Sequence, residues 1–294
     1  MILQERAYGK LNLTLEVLDR RPDGYHELRM ILCEVDLHDD VTVELGAENG
    51  CVCVSPDGKA DALPQDGENL AFRAAKAYFA ASKIDPKGCF VRIEKRIPTQ
   101  AGMAGGSSDA AAVLRALNRH YGAFSSEELR ALGLTLGSDV PYCLFGGVAL
   151  AEGRGERLTR LAALPETLHF VLVKPEFSVS TPRLFGALDA ARADGTCRAA
   201  AREGQTAAML TAISEGNAAA IGAALFNDFA PVLAREFPTV EQCKRTLVAH
   251  GALGAELTGT GSMIYGVFAD RQRAEAACAA LAPHRAFVVR CALR

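Results

Sequence analysis

The amino-acid sequence predicts an α+β fold in two lobes, on three observations. Residues 1–56 read as short, often alternating strands, whereas long stretches after residue 69 carry apolar residues at helical spacing. Strands and helices do not alternate regularly, which argues against a doubly wound parallel sheet. A chain of 294 residues can also build two cores, and a boundary near residue 160 divides it into 1–160 and 161–294.

The strands expected first are 11–17, 30–36, 41–45 and 51–55, broken by Pro22-Asp23-Gly24, Asp39-Asp40 and Asn49-Gly50. Asn69 then precedes a helix over 70–81, and 90–94 is a further strand. A glycine-rich loop feeds a helix over 107–121. Ser125 with Glu128 forms a capping-box signature for a helix ending near Gly133. Strands follow at 147–152 and 169–174, and Thr181 with Pro182 reads as an N-cap with proline at the first helical position. The alanine-rich stretch 190–225 is helical in propensity and divided by Gly195, Gly204, Gly216 and Gly222. A helix over 238–250, a strand pair about Gly259-Thr260-Gly261 and a final helix and strand complete the chain.

Hydrophobic residues at 49% and charged residues at 23% match an ordinary globular protein. A net charge of -3 supplies no field for nucleic acid or an anionic membrane, so any anionic ligand must be held by local groups. No apolar run approaches the ~18 residues a membrane helix requires, and residues 1–10 carry no export signal, so a cytoplasmic location is expected. The nine cysteines lack CxxC or zinc spacing and read as reduced thiols. Cys51 and Cys53 read as packing residues of a strand, and the six histidines show no metal spacing.

The segment with chemistry in it is Pro98-Thr99-Gln100-Ala101-Gly102-Met103-Ala104-Gly105-Gly106-Ser107-Ser108, between a strand and a helix. Small residues let backbone N–H groups approach a phosphate, and the helix N-terminus adds roughly half a positive charge. Taken alone, the same residues also make a glycine-rich turn with a serine cap. The loop is not a GxxxxGK[ST] P-loop, for no lysine follows its last glycine, nor does it sit in the βαβ unit of a dinucleotide fold.

With four further segments, this loop resembles the second motif of the kinases named for galactokinase, homoserine kinase, mevalonate kinase and phosphomevalonate kinase. Tyr8-Gly9-Lys10-Leu11-Asn12-Leu13 and Arg20-Arg21-Pro22-Asp23-Gly24-Tyr25-His26 resemble the N-terminal motifs of the 4-diphosphocytidyl-2-C-methyl-D-erythritol kinase family within it. Leu136-Gly137-Ser138-Asp139-Val140-Pro141 and Leu257-Thr258-Gly259-Thr260-Gly261-Ser262 are similar to its later motifs. Ala104 departs from the usual glycine, and Asp109 from the usual asparagine. At negative φ, Ala104→Gly costs ~1 kcal/mol through unfolded-state entropy, whereas at positive φ the methyl group strains the loop.

The resemblance implies a two-lobed kinase with its active site between the lobes, the first binding ATP and the second the substrate, a cytidine diphosphate-linked methylerythritol. It implies catalysis by Lys10 and Asp139, with Asp139 facing the substrate hydroxyl. Asn69, Lys95, Arg96, Pro98, Ala101, Gly102, Met103, Ala104, Gly105, Gly106, Ser107 and Ser108 fall to the nucleotide. Asn12, Tyr25, His26, Thr181 and Phe185 fall to the substrate, with Tyr25 and Phe185 stacking on cytosine from opposite lobes. Mg²⁺ is expected with ATP, though no carboxylate cluster identifies its ligands. On its own Asp139 reads as a helix N-cap and Lys10 as a surface lysine. A homoserine or mevalonate kinase, and a nucleotide-binding module without catalysis, are the alternative readings.

Overall fold

The computed structural model describes residues 1–55, 66–197, 204–282 and 284–292. β1 (Ile2–Arg20) and β2 (His26–Leu45) are long strands and hydrogen-bonded neighbours. They meet at a turn in which Gly24 takes φ 86° and Arg21 N–H donates to Tyr25 O at 2.7 Å. β2 joins the two strands expected at 30–36 and 41–45. Asp39-Asp40 does not break it, because the Asp39 carboxylate, fully buried, accepts from Arg96 N–H at 2.5 Å and Ile97 N–H at 2.8 Å. A residue disfavoured in strands is tolerated once its carboxylate is paired.

The chain forms two compact units, each assembled from separated stretches, so neither coincides with 1–160 or 161–294. The first comprises Met1–Gly9, Leu37–Thr99 and Ala104–Gly146, and the second Lys10–Asp36, Gln100–Met103 and Gly147–Arg294. In the first, β4 (Cys89–Glu94) pairs antiparallel with β2 from Asp40↔Glu94 to Leu45↔Cys89 and parallel with β3 (Gly50–Val54). α1 (Leu70–Ser82) begins at Asn69, whose side chain accepts from Ala71 N–H at 2.9 Å. α1 buries Ala71, Ala74 and Ala75 and packs against α2 (Gly105–Tyr121), which buries Ala110, Ala111, Ala112 and Ala116. Such small faces let two helices approach closely. The Ser125–Glu128 capping box is present, but α3 (Ser126–Leu136) runs past Gly133, which packs against Val140 and Leu144 of α4 (Val140–Phe145).

In the second unit β5 (Ala149–Gly153) pairs antiparallel with β2 and with β6 (Arg157–Arg160), a short strand the sequence pattern did not reveal. β8 (Phe226–Asn227) adds in parallel to β1 at Thr14↔Phe226. A separate antiparallel sheet has the order β11 (Arg285–Val289), β7 (His169–Lys174), β10 (Ile264–Phe268), β9 (Gly254–Leu257). Its helices are α5 (Thr181–Ala193), α6 (Gln205–Ser214), α7 (Ala218–Ala223), α8 (Ala230–Glu236), α9 (Thr239–Ala249) and α10 (Arg271–Ala280). Ser180, not Thr181, is the N-cap of α5, and it makes no side-chain cap bond. Gly222 lies inside α7 instead of ending a helix, because a Cβ there would come 2.5 Å from Leu253 Cβ. No helix among the described residues is long and apolar enough to cross a membrane.

Ala104 has φ 58°, the left-handed region that an L-residue with a Cβ enters at a cost of about 1–2 kcal/mol. The positive-φ alternative therefore holds. Ala104→Gly is expected to raise stability by about 0.5–1 kcal/mol, after the greater unfolded-state entropy of glycine is subtracted. Urea unfolding that moves to a higher midpoint with an unchanged slope bears this out, and a lower midpoint contradicts it.

Candidate active site

Ala104 is the N-cap of α2 and offers no side-chain cap bond. The N–H groups of Gly105, Gly106 and Ser107 donate to no acceptor among the described residues. These unpaired donors converge where the helix dipole is positive, an arrangement suited to phosphate oxygens. Ser107 is the half-buried hydroxyl of this turn. Ser108 is instead an anchor: buried, it donates to Tyr8 O at 2.7 Å and lies 3.4 Å from Cys143 Sγ.

Beneath the same turn lies an ionic cluster. Lys95 Nζ is 2.5 Å from Asp39 Oδ2 and 2.7 Å from Asp109 Oδ2, with all three side chains buried. A Cβ built at Gly105 would sit 3.4 Å from that ammonium. Burial alone would drive Lys95 towards neutrality, but the two carboxylates outweigh it and hold the lysine charged. Asp109 is pushed up to about 8, chiefly by burial and further by Asp39, against the pull of Lys95. Its Oδ1 has no hydrogen-bond partner among the described residues. An asparagine here keeps the acceptor for Lys95 without a second buried ionisable group.

Lys95 thus spends its charge on the protein. Arg96 is half-exposed and pairs with Asp40 at 2.6 Å. Asn69 is buried, capping α1 and donating to Cys53 Sγ at 3.2 Å. Pro98 is buried beside Ile97 in the turn before the loop.

Asp139 occupies the N-cap position of α4 but makes no cap bond. Its half-buried carboxylate has no hydrogen bond or ion pair among the described residues. The Gly137-Ser138-Asp139 turn runs beside the start of α2, with the Cβ position of Gly137 3.9 Å from Ser107 Oγ. The first unit therefore places an unspent carboxylate on a turn next to its unspent amides.

In the second unit Lys10 is a buried residue, not a surface lysine. Its Nζ donates to Asn12 Oδ1 at 2.5 Å, and its N–H donates to Met103 O. Asn12 is fully buried, and its Oδ1 also accepts from Gly259 N–H at 2.9 Å and Thr258 Oγ1 at 3.3 Å. It orients Lys10 against the Gly259-Thr260-Gly261 turn, where a Cβ at Gly259 would lie 3.2 Å from Lys10 Nζ. Ala101 and Met103 are both buried. Ala101 O accepts from Met263 N–H, and a Cβ at Gly102 would meet Thr258 O at 2.3 Å, which explains glycine there. Asn227, which sequence reasoning missed, holds the turn by donating to Leu257 O at 2.9 Å and Gly259 O at 2.8 Å. Thr181 reaches it from α5, its hydroxyl 3.1 Å from that of Thr260.

The aromatic arrangement differs from the expected sandwich. Tyr25, His26 and Phe185 all belong to the second unit, so the two rings do not come from opposite lobes. Phe185 stacks face to face on His26 with centroids 4.8 Å apart and an interplanar angle of 23°, while its edge meets Phe229 at 4.8 Å. His26 Nε2 is 2.9 Å from Asp189 Oδ1. Tyr25 is 52% exposed, and the Arg154 guanidinium lies 3.8 Å from its ring centroid. Asp189 and Arg154 carried no sequence signal, since neither falls in a motif.

Residues 69–147 match the model of the GHMP kinases N terminal domain and residues 209–285 that of the GHMP kinases C terminal domain. The chain is 43% identical to the 4-diphosphocytidyl-2-C-methyl-D-erythritol kinase of Pelotomaculum thermopropionicum, over 93% of this chain and 92% of the relative. It is 39% identical to that of Caldicellulosiruptor saccharolyticus, over 90% and 88%. A crystal structure of 4-(cytidine 5'-diphospho)-2C-methyl-D-erythritol kinase superposes with a TM-score of 0.76 at 34% identity, covering 98% of both chains. L. major mevalonate kinase superposes at 0.75 with 16% identity, over 99% and 97% of the two chains, a likeness of fold alone. With both halves of the GHMP pattern matched and near full-length identity of this order, the chain is a GHMP kinase and belongs to the 4-diphosphocytidyl-2-C-methyl-D-erythritol kinase family.

Proposed function

We propose that the protein transfers the γ-phosphoryl group of ATP to the 2-hydroxyl of 4-diphosphocytidyl-2-C-methyl-D-erythritol, a step of isoprenoid precursor synthesis in the cytoplasm. The observation that carries this reading is the open first turn of α2, three N–H groups without acceptors in a chain whose relatives are named for that kinase activity. Phosphoryl transfer needs positioning and charge stabilisation more than covalent chemistry by the protein. In this reading Gly105, Gly106 and Ser107 cradle the phosphates and Gly102 lets the loop backbone approach. Asp139 accepts the hydroxyl proton as the new O–P bond forms and the bond to the departing ADP oxygen breaks. Lys10, aimed by Asn12, offsets charge on the transferring group.

Mg²⁺ supplies neutralisation of the β- and γ-phosphate charges in such a reaction. No group of three or more metal-ligating acidic, histidine or cysteine side chains occurs among the described residues. The Ser107 hydroxyl and the Asp139 carboxylate, beside the loop, are the protein oxygens that would hold such a cation. On the substrate side, Tyr25 and His26 read the base, Phe185 backs the imidazole, and Thr181 meets the diphosphate near the Gly259-Thr260-Gly261 turn.

An ADP-release assay with the cytidyl substrate, homoserine and mevalonate tests the reading. Substrate-dependent release confined to the cytidyl compound is the expected result. Equal release with homoserine or mevalonate overturns the substrate, and ATP binding without release in any of the three overturns the kinase.

A further inference from the structure

We infer that Asp189 is a positioning residue for base selection: it holds the His26 imidazole with hydrogen on Nε2, presents Nδ1 as an acceptor, and so favours a base bearing an exocyclic amine over one bearing a carbonyl. This rests on the reading that the substrate carries a cytidyl group. The geometry begins on α5, where Phe185 and Asp189 are four residues apart and so share one helical face. Phe185 covers one face of the imidazole at 4.8 Å, and Asp189 Oδ1 engages its Nε2 edge at 2.9 Å. Phe229 fixes Phe185 in turn by an edge contact at 4.8 Å. The ring is thus held by stacking against tilt and by the carboxylate against rotation about its own axis.

The consequence is chemical. An ionised carboxylate only accepts, so the nitrogen facing it carries the hydrogen, and in the neutral ring the other nitrogen is then an acceptor. His26 Nδ1 has no hydrogen-bond partner among the described residues. An acceptor there matches the exocyclic amine of cytosine and opposes the carbonyl that uracil carries at the same position. Without Asp189 the ring can also adopt the tautomer with hydrogen on Nδ1, which welcomes the carbonyl. Asp189 is 40% exposed on a helix, so alanine suits the position and preserves the fold.

Two measurements on the full-length enzyme test this. In the wild type, ¹⁵N NMR of the His26 ring is expected to show a protonated Nε2 and a bare Nδ1, and in Asp189→Ala a mixture of tautomers. Kinetically, Asp189→Ala should raise KM for the cytidyl substrate about 3- to 10-fold with the KM for ATP unchanged. Its preference for the cytidyl over the uridyl compound should fall about tenfold or more. A wild-type ring with hydrogen on Nδ1, or on both nitrogens, overturns the inference, as does an unchanged cytidyl-to-uridyl ratio in the variant. A wild type that turns over neither compound overturns the proposed function instead, and the NMR result then decides the role of Asp189 on its own.

Discussion

Asp139→Asn is expected to keep its unfolding curve and its affinity for ATP while losing about 10²–10⁴-fold in kcat, the span typical of a positioned acid–base group. Stability should be untouched because the carboxylate caps nothing and pairs with nothing among the described residues. A carboxylate kept unspent at a helix start, where a cap bond is commonly worth about 1 kcal/mol, is poor economy for folding and is explained by use elsewhere. Lys10→Ala should lower kcat as well, and the double variant should lose less than the product of the two effects, because the proposed function has both groups act on one transition state. Turnover near normal in Asp139→Asn sinks its role, and full independence of the two losses sinks the pairing.

Lys95→Met is expected to cost about 3–5 kcal/mol of stability, since it leaves the Asp39 carboxylate buried without its cation and the Asp109 carboxyl without its hydrogen-bond partner. In an Asp109→Asn background the same change should cost measurably less. One of the two stranded carboxyl groups is then replaced by a neutral amide, and Asp39 keeps the N–H groups of Arg96 and Ile97. Urea unfolding of the four proteins checks this. Equal losses in both backgrounds would mean that Asp109 does not share the lysine. A Lys95→Met variant as stable as the wild type, weakened only in ATP binding, would return Lys95 to the nucleotide.

Much of this was legible in the residues, and the part that was not has a common cause. Alternation, apolar spacing and cap chemistry disclosed α1, the Ser125–Glu128 box and the strand pair about Gly259 because those features depend on neighbours in sequence. The loop and its helix were legible for the same reason. Lys95, by contrast, reads as a basic residue at a strand end, and only the fold brings it between carboxylates 56 and 14 residues away. Asp39 reads as a turn former, and only those partners make it a strand residue. Phe185 and His26 each carry a sequence signal, but their stacking on one another, with Asp189 at the ring edge, depends on a contact spanning 163 residues. Sequence reasoning singled out both rings and did not foresee that they face each other.

The passage of β1 and β2 from one compact unit into the other has a bearing on how the protein is made. Neither unit can be completed from a contiguous stretch of a growing chain. Val17 N–H waits for Asp228, 211 residues later, and Asn12 for Thr258, 246 later. Contacts of such separation slow folding, because the loop-closure entropy is spent before the contact repays it. On the ribosome, which adds about 5–20 residues per second, the start of β1 is held without its final partners for on the order of ten seconds or more, with its apolar face uncovered. Nascent chains arrested before residue 226 should therefore bind a holdase chaperone through their first twenty or so residues, and release it once the strand at Phe226–Asn227 has emerged.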